Sequence, residues 1–123
     1  FESTGYTFAA FINSGGSLSY TVRIMLVRGI TAPVGHGIWT AIFSGVLLNE
    51  SVAGRFNFNS RVVYAYLTSA LLHGLWNGLP AILNEYVPSP DADILGLAAV
   101  GAVGILILYR EWRKAEREKI PYA

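Results

Sequence analysis

The sequence predicts an all-α membrane protein: a polytopic bundle of transmembrane helices with an interfacial helix and a basic cytoplasmic tail. Hydrophobic residues make up 53% of the 123 residues. Charged residues make up 14%, whereas soluble domains contain roughly 25%. Apolar stretches recur along the chain, and several approach the length of about 20 residues that a helix needs to cross a bilayer. The lipid bilayer is therefore the expected surrounding of this chain.

Three stretches meet the length requirement for a membrane span. They cover residues 30–48, 62–83 and 92–109. Residues 1–12 are apolar but too short to span, and they predict part of a helix that the turn-forming sequence NSGGS ends. The connections NESVAGRFNFNS and NEYVPSPDAD are short and polar. They predict loops between helices of one domain.

The segment LSYTVRIMLVRG, which precedes the first span, carries apolar residues on one side and basic residues elsewhere. Leu18, Val22 and Met25 share the apolar side, which predicts an amphipathic helix lying in the membrane interface. The side chains of Arg23 and Arg28 would then extend to the lipid phosphates.

Basic residues predict the orientation of the chain, because Lys and Arg near the ends of spans favour the cytoplasmic side. The segment REWRKAEREK after the third span contains five of them. This places the C-terminus in the cytoplasm. The formal net charge of +1 offers no concentrated basic face, so a nucleic-acid partner is not expected. The absence of cysteine excludes disulfides, thiolate metal ligands and a cysteine nucleophile.

Four polar side chains lie within apolar surroundings, where such groups are costly and often functional: Glu2, His36, His73 and Asn77. His73 and Asn77 are four residues apart and therefore share a helix face. Pro80 follows and should loosen the helix beside them. If neighbouring spans pack antiparallel, His36 and His73 could face one cavity.

These residues allow three interpretations. They could join the helices of a non-catalytic scaffold by hydrogen bonds. The two imidazoles could instead hold a haem between helices. In a hydrolytic centre, a carboxylate would activate water while imidazole and amide donors stabilise an oxyanion. Only the hydrolytic interpretation uses all four groups. Burial would keep Glu2 protonated unless a cation lies nearby.

The ordered stretches FESTGY, RGITAPVGHGIWTA and LLHGLWN resemble the PrsW family of intramembrane endopeptidases. This family is related to the CAAX prenyl proteases and to bacteriocin-processing membrane proteases. The resemblance covers residues 1–83 and implies that residues 1–123 form the C-terminal part of one transmembrane protease domain. It also implies hydrolysis of peptide bonds in membrane-anchored proteins, in the cytoplasmic membrane of a bacterium or archaeon.

The resemblance further implies roles for the four polar residues. Glu2 matches the glutamate of the second family motif and His36 the histidine of the third. His73 and Asn77 match the final His-x-x-x-Asn pair, which holds the oxyanion in the related prenyl proteases. Zinc could bind to Glu2, His36 and His73, since two imidazoles and a carboxylate are a known zinc set. The glutamate and amide mechanism requires no cofactor, and the metal question stays open.

One family motif has no counterpart in the sequence. The first motif consists of paired glutamates followed by a basic residue and supplies the base that activates water. The remaining candidates, Glu111, Glu116 and Glu118, lie in a charged segment that predicts a solvated cytoplasmic helix. Because FESTGY is not a typical N-terminus, we expect the chain to be a piece of a longer protein. Since it lacks the paired glutamates of the first motif, we expect it to be inactive by itself.

Overall fold

A computed structural model of the chain describes residues 2–52, 54–86 and 92–118. In these ranges the chain forms four α-helices and no β-strand: α1 (Glu2–Asn13), α2 (Leu18–Asn49), α3 (Ser60–Tyr86) and α4 (Ala92–Glu118). The chain divides into two compact units, residues 1–36 and residues 37–123, and the boundary falls inside α2. The predicted all-α class is confirmed.

Glycines end α1, as the sequence NSGGS predicted. Gly15 and Gly16 have φ angles of 65° and 88°, which residues with a Cβ rarely adopt. The amide of Gly16 donates a hydrogen bond to the carbonyl of Phe11 at 2.9 Å and closes the end of the helix. Ser17 then caps α2, because its Oγ accepts a hydrogen bond from the amide of Tyr20 at 3.4 Å.

The structure does not separate the predicted interfacial segment from the first span. Both belong to α2, which is one helix of 32 residues. Ser17 provides an N-cap, and the helix then runs without a proline until Pro33, so it begins well before residue 30. At about 1.5 Å per residue α2 is about 48 Å long, whereas the hydrocarbon core is about 30 Å thick. Part of α2 therefore extends beyond the core even when the helix is tilted.

Within the part of the chain that the structure describes, two helices are long and apolar enough to cross a membrane: Leu18–Asn49 and Ile94–Arg117. They contain most of the predicted spans 30–48 and 92–109. In their most apolar windows only 28% and 22% of the residues are buried within the chain. Most of this apolar surface therefore faces outward, as lipid contact requires. α3 has a sufficient 27 residues but carries polar side chains, and its predicted span at 62–83 stays a prediction.

The second unit is held together by tight packing of α3 and α4. Gly96 of α4 lies against Pro80, and Gly101 lies against Trp76. The residue number rises from Gly96 to Gly101 along α4, while the number of the contacted residue falls from Pro80 to Trp76 along α3. The two helices are therefore antiparallel. A Cβ on Gly104 would overlap the ring of Trp39, so the lack of a side chain permits this close approach.

Two tryptophans occupy the centre of this unit. Trp39 and Trp76 are each 5% exposed, and their rings meet edge to face with centroids 5.8 Å apart. The hydroxyl of buried Ser69 donates a hydrogen bond to the carbonyl of Trp39 at 3.1 Å. The buried residues of α3 repeat every three or four positions and form one stripe: Val62, Ala65, Ser69, Leu72 and Trp76.

An ionic cluster fixes the connection between α2 and α3. The Glu50 carboxylate accepts hydrogen bonds from Asn59 and, at 2.9 Å, from Arg61. The guanidinium of Arg61 and the amide of Asn59 hold the pKa of Glu50 below its usual value. Because the pKa is lowered on folding, the cluster contributes stability above the ordinary carboxyl range and loses it as the pH falls through the lowered value.

Candidate active site

The first unit brings two predicted site residues into contact. Glu2 lies in the first turn of α1 and His36 in the middle of α2. The Nε2 atom of His36 lies 3.3 Å from Oε2 of Glu2. On the other side of the ring, Nδ1 lies 2.8 Å from the carbonyl oxygen of Ala32. Since a carbonyl only accepts hydrogen bonds, Nδ1 carries a hydrogen and Nε2 is the atom turned towards the carboxylate.

Arg28 is a member of the same cluster that the sequence did not predict. Its Nη2 atom donates to Oε1 of Glu2 at 3.0 Å. Its guanidinium carbon lies 3.6 Å from the ring centroid of Tyr6, which is a cation–π distance. The expectation that Arg28 extends to lipid phosphates is wrong, because an ion pair inside the protein replaces the solvent that a snorkelling side chain seeks.

The position of Arg28 also bears on the expectation that the Glu2 carboxyl is protonated. Burial would have favoured the protonated carboxyl, unless a cation lay nearby. Arg28 is that cation, so the carboxylate form has a direct partner. A signal was present in the sequence: Arg28, Ala32 and His36 are spaced by four residues and therefore share one helix face.

The second unit contains the other predicted pair on α3. His73 and Asn77 are half-buried and follow the buried residues Leu72 and Trp76 by one position. The pair therefore borders the buried stripe on one helix face, as its spacing predicted. α3 remains helical through Pro80, and the loosening of the helix beside His73 stays a prediction. The four residues thus form two pairs, one in each unit.

The acidic residues near the end of α4 lie in a charged stretch of that helix. Arg113 and Glu116 form an exposed pair at 4.0 Å, in keeping with the predicted charged tail. In the second unit, a half-open cavity of about 490 Å³ lies between the last turns of α2 and α4. Its lining includes Glu50, Glu111 and Lys114 but neither His73 nor Asn77.

Comparison with known proteins decides the family. The sequence model of the PrsW family of intramembrane metalloproteases matches residues 1–110. The chain belongs to this family. The matched range contains all four predicted site residues, and the match confirms the resemblance to a family of membrane proteases. No curated protein and no solved structure matches it significantly. The family is described as one of metalloproteases, which implies that its members bind a metal ion.

Proposed function

We propose that the full-length PrsW family protein is an endopeptidase that cleaves membrane-anchored proteins, with Glu2, His36, His73 and Asn77 serving one reaction centre. The observation that carries this proposal is the 3.3 Å contact between Glu2 Oε2 and His36 Nε2. A carboxylate and an imidazole held at this distance can orient a water molecule and transfer its protons. Family membership and the matching order of the four residues support the same reaction.

The residues also fit the metal that the family description implies. With Nδ1 of His36 donating to Ala32, a neutral ring presents the lone pair of Nε2 to a carboxylate oxygen 3.3 Å away. Two such electron-rich atoms call for a positive group, either a second proton on the ring or a metal ion. Glu2 and His36, with His73 as third ligand, would supply the carboxylate and two imidazoles of a zinc site. A bound zinc would act as a Lewis acid that activates water.

In this proposal the residues of the chain have separate roles. Glu2 and His36 orient the attacking water. The base that takes its proton is, by resemblance, the glutamate pair of the first family motif, which residues 1–123 do not include. Asn77 donates a hydrogen bond to the oxygen of the scissile carbonyl as it becomes an oxyanion. His73 is the second donor in the mechanism without metal and a zinc ligand in the mechanism with metal. The proton removed from water then passes to the leaving amine, which completes hydrolysis.

The membrane setting of the proposed reaction follows from the helices and the charges. Two helices can cross a bilayer, and five basic residues follow the predicted third span. We propose that the protein lies in the cytoplasmic membrane of a bacterium or archaeon with its C-terminus in the cytoplasm. Its substrate would be anchored in the same membrane.

Bis-histidine haem binding is supported less well than hydrolysis. A haem iron would need open space in front of the coordinating nitrogen of each histidine. In the first unit, Oε2 of Glu2 lies in contact with Nε2 of His36. A non-catalytic scaffold explains the hydrogen bonds but gives no reason for a carboxylate, an imidazole and a guanidinium to be grouped together.

The proposed function is tested with purified full-length protein reconstituted in liposomes together with a panel of single-span reporter proteins. We expect cleavage of at least one reporter, loss of cleavage after treatment with a chelator, and recovery when zinc is added. Folded protein that cleaves none of the reporters would contradict the protease. Cleavage that persists after complete removal of metal would leave the protease standing and contradict the zinc site.

A further inference from the structure

Arg28 is a largely covered charge in a helix that can cross a membrane. Its side chain is only 12% exposed, and it lies in the range Leu18–Asn49. A guanidinium in such a place is costly unless it is paired, and charged groups within membrane helices usually serve a function. The partners of Arg28 in the structure include the carboxylate of Glu2 and the ring of Tyr6.

The geometry assigns the two carboxylate oxygens of Glu2 to different neighbours. Oε1 accepts the hydrogen bond from Nη2 of Arg28 at 3.0 Å. Oε2 lies 3.3 Å from Nε2 of His36. The guanidinium thereby restricts rotation of the carboxylate and keeps its second oxygen at the imidazole. Without this anchor, Glu2 could rotate about its side-chain bonds and lose the contact.

Tyr6 in turn fixes the guanidinium. The ring lies one helical turn beyond Glu2 on α1, and the guanidinium carbon of Arg28 lies 3.6 Å from the ring centroid. A planar guanidinium can stack on an aromatic ring with its face while donating hydrogen bonds from its edge. Lysine carries the same charge as a compact ammonium group and cannot do both in the same way.

We propose that Arg28 is a positioning residue of the reaction centre: it anchors Glu2 through Oε1 and so presents Oε2 to His36 and to the bound water or metal. This inference rests on the proposed function. It adds a fifth residue to the four predicted ones: a guanidinium that stacks on the ring of Tyr6 and donates a hydrogen bond to Glu2. A lysine at this position would keep the charge and lose the orientation.

The test compares Arg28→Lys with the wild-type full-length protein, because lysine preserves the charge that a folded protein needs here. We expect kcat for the reporter to fall about 10- to 100-fold while KM stays within about threefold, as for other residues that orient metal ligands. The Kd for zinc, measured by competition with a chromophoric chelator, should rise by a similar factor. Arg23→Lys, at an exposed position of the same helix, is the matched control and should change neither value more than about twofold.

A double-mutant cycle separates positioning from simple structural support. In a Glu2→Gln background, Arg28→Lys should reduce the zinc affinity less than threefold further, because the group that Arg28 orients has already been removed. Wild-type kcat and zinc affinity in folded Arg28→Lys, or effects that add fully in the cycle, would overturn the inference about Arg28 alone. A wild-type protein that neither cleaves reporters nor binds zinc would overturn the proposed function and this inference with it.

Discussion

Replacing His73 or Asn77 by alanine should slow cleavage of the reporter by the full-length protein about 100- to 1,000-fold, because each change removes a group that stabilises the oxyanion, either as a hydrogen-bond donor or, for His73, as a zinc ligand. The oxyanion exists only in the transition state and in the tetrahedral intermediate. The loss should therefore appear in kcat, with KM nearly unchanged. Steady-state cleavage of the reporter in liposomes measures both constants.

The matched control for this pair is Leu71→Ala on the same helix. Leu71 is 63% exposed, and it precedes His73 by two residues, which places it on another face of α3. We expect its cleavage rate to stay within about twofold of wild type. Since donors to one oxyanion act as a unit, the double substitution of His73 and Asn77 should cost less than the product of the single effects. Wild-type rates in both single variants would remove this pair from the reaction.

The second large effect is expected from Glu2→Gln, which keeps the size of the side chain and removes its charge. Cleavage should fall by about 1,000-fold, because the carboxylate that orients the attacking water is removed. The Kd for zinc should rise as well and stay measurable. The reason is that the amide offers only one oxygen, whereas the carboxylate of Glu2 gives one oxygen to Arg28 and the other to His36.

Glu2→Gln also leaves the charge of Arg28 without its carboxylate, so folding has to be checked by the thermal unfolding temperature. The variant Glu2→Gln with Arg28→Met removes both charges and should recover thermal stability without recovering cleavage. Glu116→Gln provides the control, because Glu116 forms an exposed pair with Arg113, and this variant should be fully active. A folded Glu2→Gln protein that cleaves and binds zinc like wild type would contradict the role of Glu2.

Much of the fold could be predicted because the length of an apolar stretch can be read directly from the local sequence. The turn at NSGGS and the spans within α2 and α4 follow from composition and from turn-forming glycines. The start of α2 could not be predicted in this way. Hydropathy separates an interfacial segment from a span, but the helical backbone continues through both when an N-cap and good helix formers are present.

The candidate site could be predicted where its signal lies within one helix. His73 and Asn77 share a face because helical periodicity requires it. The partners of Arg28 could not be predicted, because Glu2 lies 26 positions away in the sequence and local patterning suggested a basic residue at the membrane interface. Long-range pairing of charges depends on how α1 folds against α2 inside the first unit, and hydropathy carries no information about it.

We propose that the pair Glu2 and His36 shares one reaction centre with the pair His73 and Asn77. Residues 1–123 contain no cysteine, so cysteines can be introduced at His36 and His73 in a full-length background freed of any others. Under mild oxidation we predict a disulfide between the two positions, detected as a linked peptide by mass spectrometry. The same experiment with cysteines at His36 and Leu71 should give almost none. Linkage at His73 no greater than at Leu71 would contradict a shared centre.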